Sequence, residues 1–197
     1  MAIGSGMTTD PDKSALERLG YDSLWLESGV LSVDLLRAQI RHFESADGDR
    51  NTEHYRNAAL QAFLESRTQL TNSEVAWVLE LGRRERDKVL RPNFAYSLVQ
   101  HLGMSDDQFD RVARSHESEG FQRIVRRMRC LRALSSPGVG AGEIQEACEQ
   151  GDAVVHRALL ERDDLRRDHV TLLCTKGANR AIRNRAQELL ASGRFRQ

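Results

Sequence analysis

The residues of this chain best suited to chemistry are arginines. Arg123, Arg126, Arg127, Arg129 and Arg132 fall within the stretch 121–134, which contains no acid. A guanidinium presents a planar fork of donors that suits carboxylates and phosphates. If Ile124 and Met128, Val154 and Ala158, and Ile182 and Ala186 are equivalent inward pairs on three helices, then Arg127, Arg157 and Arg185 share one position in three consecutive units and form a ladder. Two readings of the ladder stand side by side. It is either the solvated face of amphipathic helices, paired with neighbouring acids, or an electropositive strip for an acidic partner. Trp77 and Tyr96 carry a similar ambiguity, between core residue and interface anchor. The candidate partner-binding residues are therefore Arg123, Arg127, Arg157, Arg185, Trp77 and Tyr96.

There is no glycine-rich phosphate loop, no HExxH, no CxxC and no Gly-x-Ser-x-Gly elbow. The histidines are scattered. His42 and His54 are placed to face each other across a helix hairpin, but no Cys or carboxylate stands at ligand spacing around them, so a solvated pair is expected rather than a metal site. Cys148 and Cys174 occupy the offset at which another unit has Leu79, and read as small core residues. The expectation is a protein that is not an enzyme, with no cofactor, no metal and no evident small-molecule substrate.

Composition narrows the partner. Apolar residues at 40% and charged residues at 29%, with three Pro, describe a globular chain able to bury a core. Lys+Arg and Asp+Glu each number 29, so the global basic field of a non-specific nucleic-acid binder is missing. The halves differ mildly, with 12 basic and 15 acidic residues over 1–103 and 17 and 14 over 104–197. Only Lys13, Lys88 and Lys176 are lysines, which reads as codon bias in a GC-rich bacterial genome. No apolar run reaches the ~18 residues of a membrane span, and a cytoplasmic protein is the default. Residues 1–6 before Met7 read as an expression-tag remnant.

The elements that position these residues are written as repeated helix starts. In Leu70-Thr71-Asn72-Ser73-Glu74-Val75 the Thr can cap, the Glu can reach back to the cap, and Leu70 can pack on Val75 as a hydrophobic staple. Met104 to Phe109 repeats the device, and Val139 to Ile144 repeats it with Gly at the cap. Looser copies begin at Leu31 and Leu165, the latter without a capping side chain. Staples near 31, 70, 104, 139 and 165 define five two-helix units, whose second helices start near Thr52, Pro92, Gly120, Asp152 and Asn179. Apolar residues recur at fixed offsets, as in Val75, Val78, Leu79 and Gly82, Ile144, Ala147, Cys148 and Gly151, and Val170, Leu173, Cys174 and Gly177. A Gly twelve residues after three staples is more than helical periodicity supplies. Residues 7–30, with Asp10-Pro11 starting a helix, Gly20 ending it and Leu24, Trp25 and Leu26 too apolar for water, read as an N-terminal helical cap on a single repeat domain over 31–197.

Over Gly151 to Leu190 the chain resembles the HEAT-like and leucine-rich-variant families of α-solenoids, in the Gly-Asp-Ala-Val-Val-His-Arg-Ala-Leu-Leu segment, the Leu165 to Val170 turn and the Gly-Ala-Asn-Arg-Ala-Ile-Arg-Asn-Arg-Ala segment. It departs from them in uneven unit lengths and in lacking Pro between helices. The resemblance implies an all-α, right-handed solenoid of about five helix hairpins, and a curved surface for another macromolecule. The function expected on that basis is non-catalytic protein binding, as a bacterial immunity-type inhibitor, a scaffold or a chaperone. A nucleic-acid-binding HEAT-like protein using an Arg-lined surface is the alternative.

Overall fold

The computed structural model describes residues 10–136 and 138–192, and over them the chain is all-helical, with twelve helices and no strand. The expected tag remnant at 1–6 and the helix-ending Gly193 lie outside the described residues. The chain forms two compact units, Met1–Ser118 and Glu119–Gln197. The ten helices expected from the staples and second starts all begin within two residues of the expected positions.

The first unit contains α1 (Asp10–Leu19), α2 (Leu24–Glu27), α3 (Val33–Glu44), α4 (Thr52–Glu65), α5 (Asn72–Arg84), α6 (Arg91–Val99) and α7 (Asp106–Ala113). Here α1 packs on α3 and α4, α4 on α6, α5 on α6 and α7, and α6 on α7. The caps explain why the helices start where they do. Thr71 Oγ1 accepts the Glu74 N–H at 3.2 Å while Glu74 Oε2 accepts the Thr71 N–H at 2.7 Å, and both Leu70 and Val75 are buried. At α7 the box recurs with Gln108, whose Oε1 takes the Ser105 N–H at 2.8 Å. Its amide then donates to Leu70 O at 2.8 Å, so one helix start is tied to the staple of the preceding one. In the N-terminal cap the Trp25 ring meets Tyr21 and, at 5.7 Å, Phe94 of α6, both edge-on.

The second unit contains α8 (Glu119–Ser135), α9 (Ala141–Glu149), α10 (Ala153–Leu160), α11 (Arg167–Lys176) and α12 (Arg180–Ala191). First helices pack on first helices, α9 on α11, and second helices on second helices, α8 on α10 and α10 on α12. Within hairpins α9 packs on α10 and α11 on α12. Its core runs through Leu134, Ile144, Ala147, Cys148, Val155, Leu159, Val170, Leu173, Ile182 and Ala186.

Three sequence expectations are corrected. Leu79 is half-exposed and Leu81 is the buried residue of α5 beside Val75, Val78 and Gly82. The Leu79-Cys148-Cys174 equivalence therefore does not mark one core position: Cys148 is buried, while Cys174 is only partly so. His42 and His54 do not pair, because closer partners intervene. His42 Nδ1 lies 2.7 Å from the Tyr55 hydroxyl and His54 Nδ1 2.6 Å from Asp49 Oδ2. The glycines twelve residues after the staples are real landmarks with unlike causes. A Cβ on Gly82 would stand 2.9 Å from Phe94 Cβ, where α5 and α6 touch, whereas Gly151 has φ +70° and ends α9 in the left-handed region.

Candidate partner-binding surface

Register on α8, α10 and α12 decides where the arginines point. Met128, Ile182 and Ala186 are buried as expected, with Ile124 half-buried. In α10 the expected inward pair is wrong by one residue: Val154 is 42% exposed, and Val155 and Leu159 are buried in its place. One residue is about 100° around a helix. Arg157 therefore does not hold the position of Arg127 and Arg185, and the three do not form a ladder in one register. The cause is His156, which is fully buried and fixes the rotation of α10. Its Nδ1 accepts the Ala178 N–H at 3.0 Å, so its Nε2 donates to Cys148 O at 3.1 Å.

The arginines then separate by role. Arg127 Nε donates to Asp152 Oδ2 at 2.7 Å, and that carboxylate caps α10. Burial pushes the Asp152 carboxyl up, but the Arg127 hydrogen bond and the Val155 and Val154 N–H groups outweigh it and hold it below the usual carboxylate range. Arg123 lies 3.6 Å from Glu119 on an exposed face, and α8 begins at that acid rather than after it, so the helix is not free of acids. Such exposed pairs contribute little.

Arg157 and Arg185 come together instead by lining one cleft between α10 and α12, with a volume of about 520 Å³. Leu160, Ile182 and Leu189 supply its apolar wall, and Glu161, Asp163 and Asn179 also line it. The Arg157 guanidinium is exposed and makes no hydrogen bond or ion pair to any described residue. Among the described residues Arg185 meets only Glu188, at 3.1 Å on the exposed side of its own helix. Leu160 and Ile182 also belong to the buried core, so they show the cleft only their edges, and Leu189 is partly buried beside them.

Trp77 and Tyr96 belong to the first unit. Trp77, on α5, is 41% exposed, which is unusual for an indole in a helical array, while Tyr96 is half-buried on α6. The other polar concentration of this unit was not legible in the sequence. Arg56 and Glu85, with side chains only 7% and 4% exposed, pair through Nε–Oε2 at 3.0 Å and Nη2–Oε1 at 3.3 Å. Arg56 Nη1 also donates to Leu19 O at 2.8 Å, which ties the end of α1 to α4. Every donor there has a partner within the fold, and the pair is read as structural. Among the described residues no group of three or more His, Cys, Asp or Glu is placed to hold a metal ion, and no helix is long and apolar enough to cross a membrane.

No protein-family model, no curated protein and no solved structure matches the chain.

Proposed function

We propose that the protein is a non-catalytic, protein-binding helical repeat module of the cytoplasm, built as a right-handed α-solenoid of five hairpins in the manner of HEAT-like repeats. The alternation within the second unit, first helix on first helix and second on second, supports the solenoid reading. The observation that carries the binding reading is the cleft between α10 and α12, where the Arg157 guanidinium, without a partner among the described residues, stands beside Arg185 and the edges of Leu160, Ile182 and Leu189. The exposed Trp77 is a second anchor of the type that dominates protein interfaces. A module of this kind acts by occupying a partner's surface, as an immunity-type inhibitor, a scaffold or a chaperone does.

The test is affinity capture with quantitative mass spectrometry from the source cells, comparing the wild type with Trp77→Ala and with Arg157→Gln/Arg185→Gln. A protein recovered near stoichiometry by the wild type and depleted by either variant is expected. Recovery of nucleic acid alone, without a protein at that level, overturns the reading.

A further inference from the structure

We infer that the cleft between α10 and α12 receives an acidic and apolar peptide segment of the partner, with the segment's carboxylates on Arg157 and Arg185 and an apolar side chain against Leu160, Ile182 and Leu189. The inference rests on the protein-binding reading above and goes further, by naming the site and the chemistry of what enters it.

Charge is the first argument. The three second helices of this unit carry nine arginines, with only Glu119 and Glu188 as acids, and no lysine. By contrast α9 carries Glu143, Glu146 and Glu149 and no base. Five of the nine arginines belong to α8, and of the four on α10 and α12 the cleft takes Arg157 and Arg185. Some of this charge is used within the fold, as Arg127 is by Asp152 and Arg183 by Gly177 O. Arg157 is not used in this way, and it is placed at the cleft. A guanidinium held in the open beside an apolar wall gains most from a carboxylate that arrives with its own apolar neighbour, since the wall excludes water from the resulting bidentate bond.

The same lining argues against a phosphate backbone. Leu160, Ile182 and Leu189 offer a polyanion nothing, and Glu161 and Asp163 stand in the same cleft. A uniform row of phosphates would meet those acids. A peptide can place carboxylates at the arginines and neutral or basic residues beside Glu161 and Asp163. The cleft volume of about 520 Å³ accommodates a few side chains rather than a whole folded surface.

The test pans a random 12-residue peptide library displayed on phage against the full chain. A fluorescein-labelled peptide of the enriched sequence is then titrated by fluorescence anisotropy. The enriched sequences should combine Asp or Glu with Leu, Ile or Phe. Affinity should fall at least tenfold in Arg157→Gln/Arg185→Gln and recover in part in Arg157→Lys/Arg185→Lys, which keeps charge without the fork. Both arginines are exposed, so unchanged thermal melting of the variants shows that any loss belongs to binding. Enriched peptides without acids, or acidic peptides that bind the double Gln variant equally well, overturn the inference. If those peptides instead lose binding in Trp77→Ala, protein binding stands and only the cleft assignment falls. If no peptide is enriched while a labelled thymidine 12-mer binds at micromolar concentration, both fall.

Discussion

Arg127 on α8 and Asp152 at the start of α10 are joined by a 2.7 Å hydrogen bond, and the other carboxylate oxygen of Asp152 accepts the Val154 N–H at 2.8 Å and the Val155 N–H at 3.3 Å. One side chain thus caps a helix and ties it to its neighbour. Asp152→Ala should destabilise by about 1–2 kcal/mol, and Arg127→Gln by a smaller amount, in urea unfolding; Arg157→Gln should be nearly neutral. The folded-state pKa of Asp152 is depressed, so its contribution is present above the unfolded value of about 3.9 and is lost as pH falls below it. An Asp152→Ala protein as stable as the wild type at pH 7 contradicts this role.

His156 gives the second unit a separate pH dependence. Burial holds its imidazole below the ordinary value, and Nδ1 already accepts an N–H, so a second proton would set donor against donor. The unfolded state therefore binds more protons as pH falls below about 6.5. Wild-type stability should decline there by up to about 1.4 kcal/mol per pH unit until the depressed folded value is reached. His156→Gln should be less stable at pH 7 and should lack that segment of the profile. Parallel profiles for the two proteins between pH 7 and 5 would contradict the assignment.

The cysteines should respond unequally. Cys148 is 1% exposed and burial pushes its thiol up to about 11. Cys148→Ser should cost about 1–3 kcal/mol, because a hydroxyl enters an apolar site. Cys174 is partly exposed, so Cys174→Ser should cost less. In native protein a thiol-reactive chromophore should label Cys174 first, with Cys130 and Cys148 reacting only on unfolding. Faster labelling of Cys148 would contradict its burial within α9.

The Arg56–Glu85 pair holds the first unit together. Glu85→Gln leaves a buried guanidinium without its countercharge and should cost about 3–5 kcal/mol. Gly20 has φ +72°, and a Cβ there would stand 2.7 Å from Arg56 Nη1, which donates to Leu19 O and Thr52 Oγ1 while Glu85 holds Nε and Nη2, so the guanidinium is not free to move aside. Gly20→Ala should therefore cost more than the roughly 1–2 kcal/mol of left-handed strain alone. Wild-type stability in either variant would remove the pair from this role.

Helix starts were legible because their causes are local. Thr71 with Glu74 and Ser105 with Gln108 lie three residues apart, and no tertiary information is needed to pair them. Even the start at Arg166, which lacks a capping side chain, gains a 3.4 Å contact from its N–H to His169 Nδ1, a role the sequence reading did not give to that histidine. The rotation of each helix was less legible. Val154 and Val155 are both apolar, and the choice between them is made by His156, whose partners lie in α9 and in the loop before α12. The Arg56–Glu85 pair spans 29 residues and joins a helix interior to a helix end, so neither periodicity nor capping rules could find it. The candidate site was half legible: Arg157 and Arg185 were singled out through a register that does not hold, yet they line one cleft.

Protein rather than nucleic acid as the partner is tested most directly by a mobility-shift titration of the wild type with mixed duplex and single-stranded DNA and RNA at about 100 mM salt, where the screening length is about 10 Å. No shift at micromolar protein is the expected result. Micromolar binding that weakens in Arg157→Gln/Arg185→Gln, with the slope of log affinity against log salt flattened by about two units, would mean that the two arginines neutralise phosphates and would contradict it.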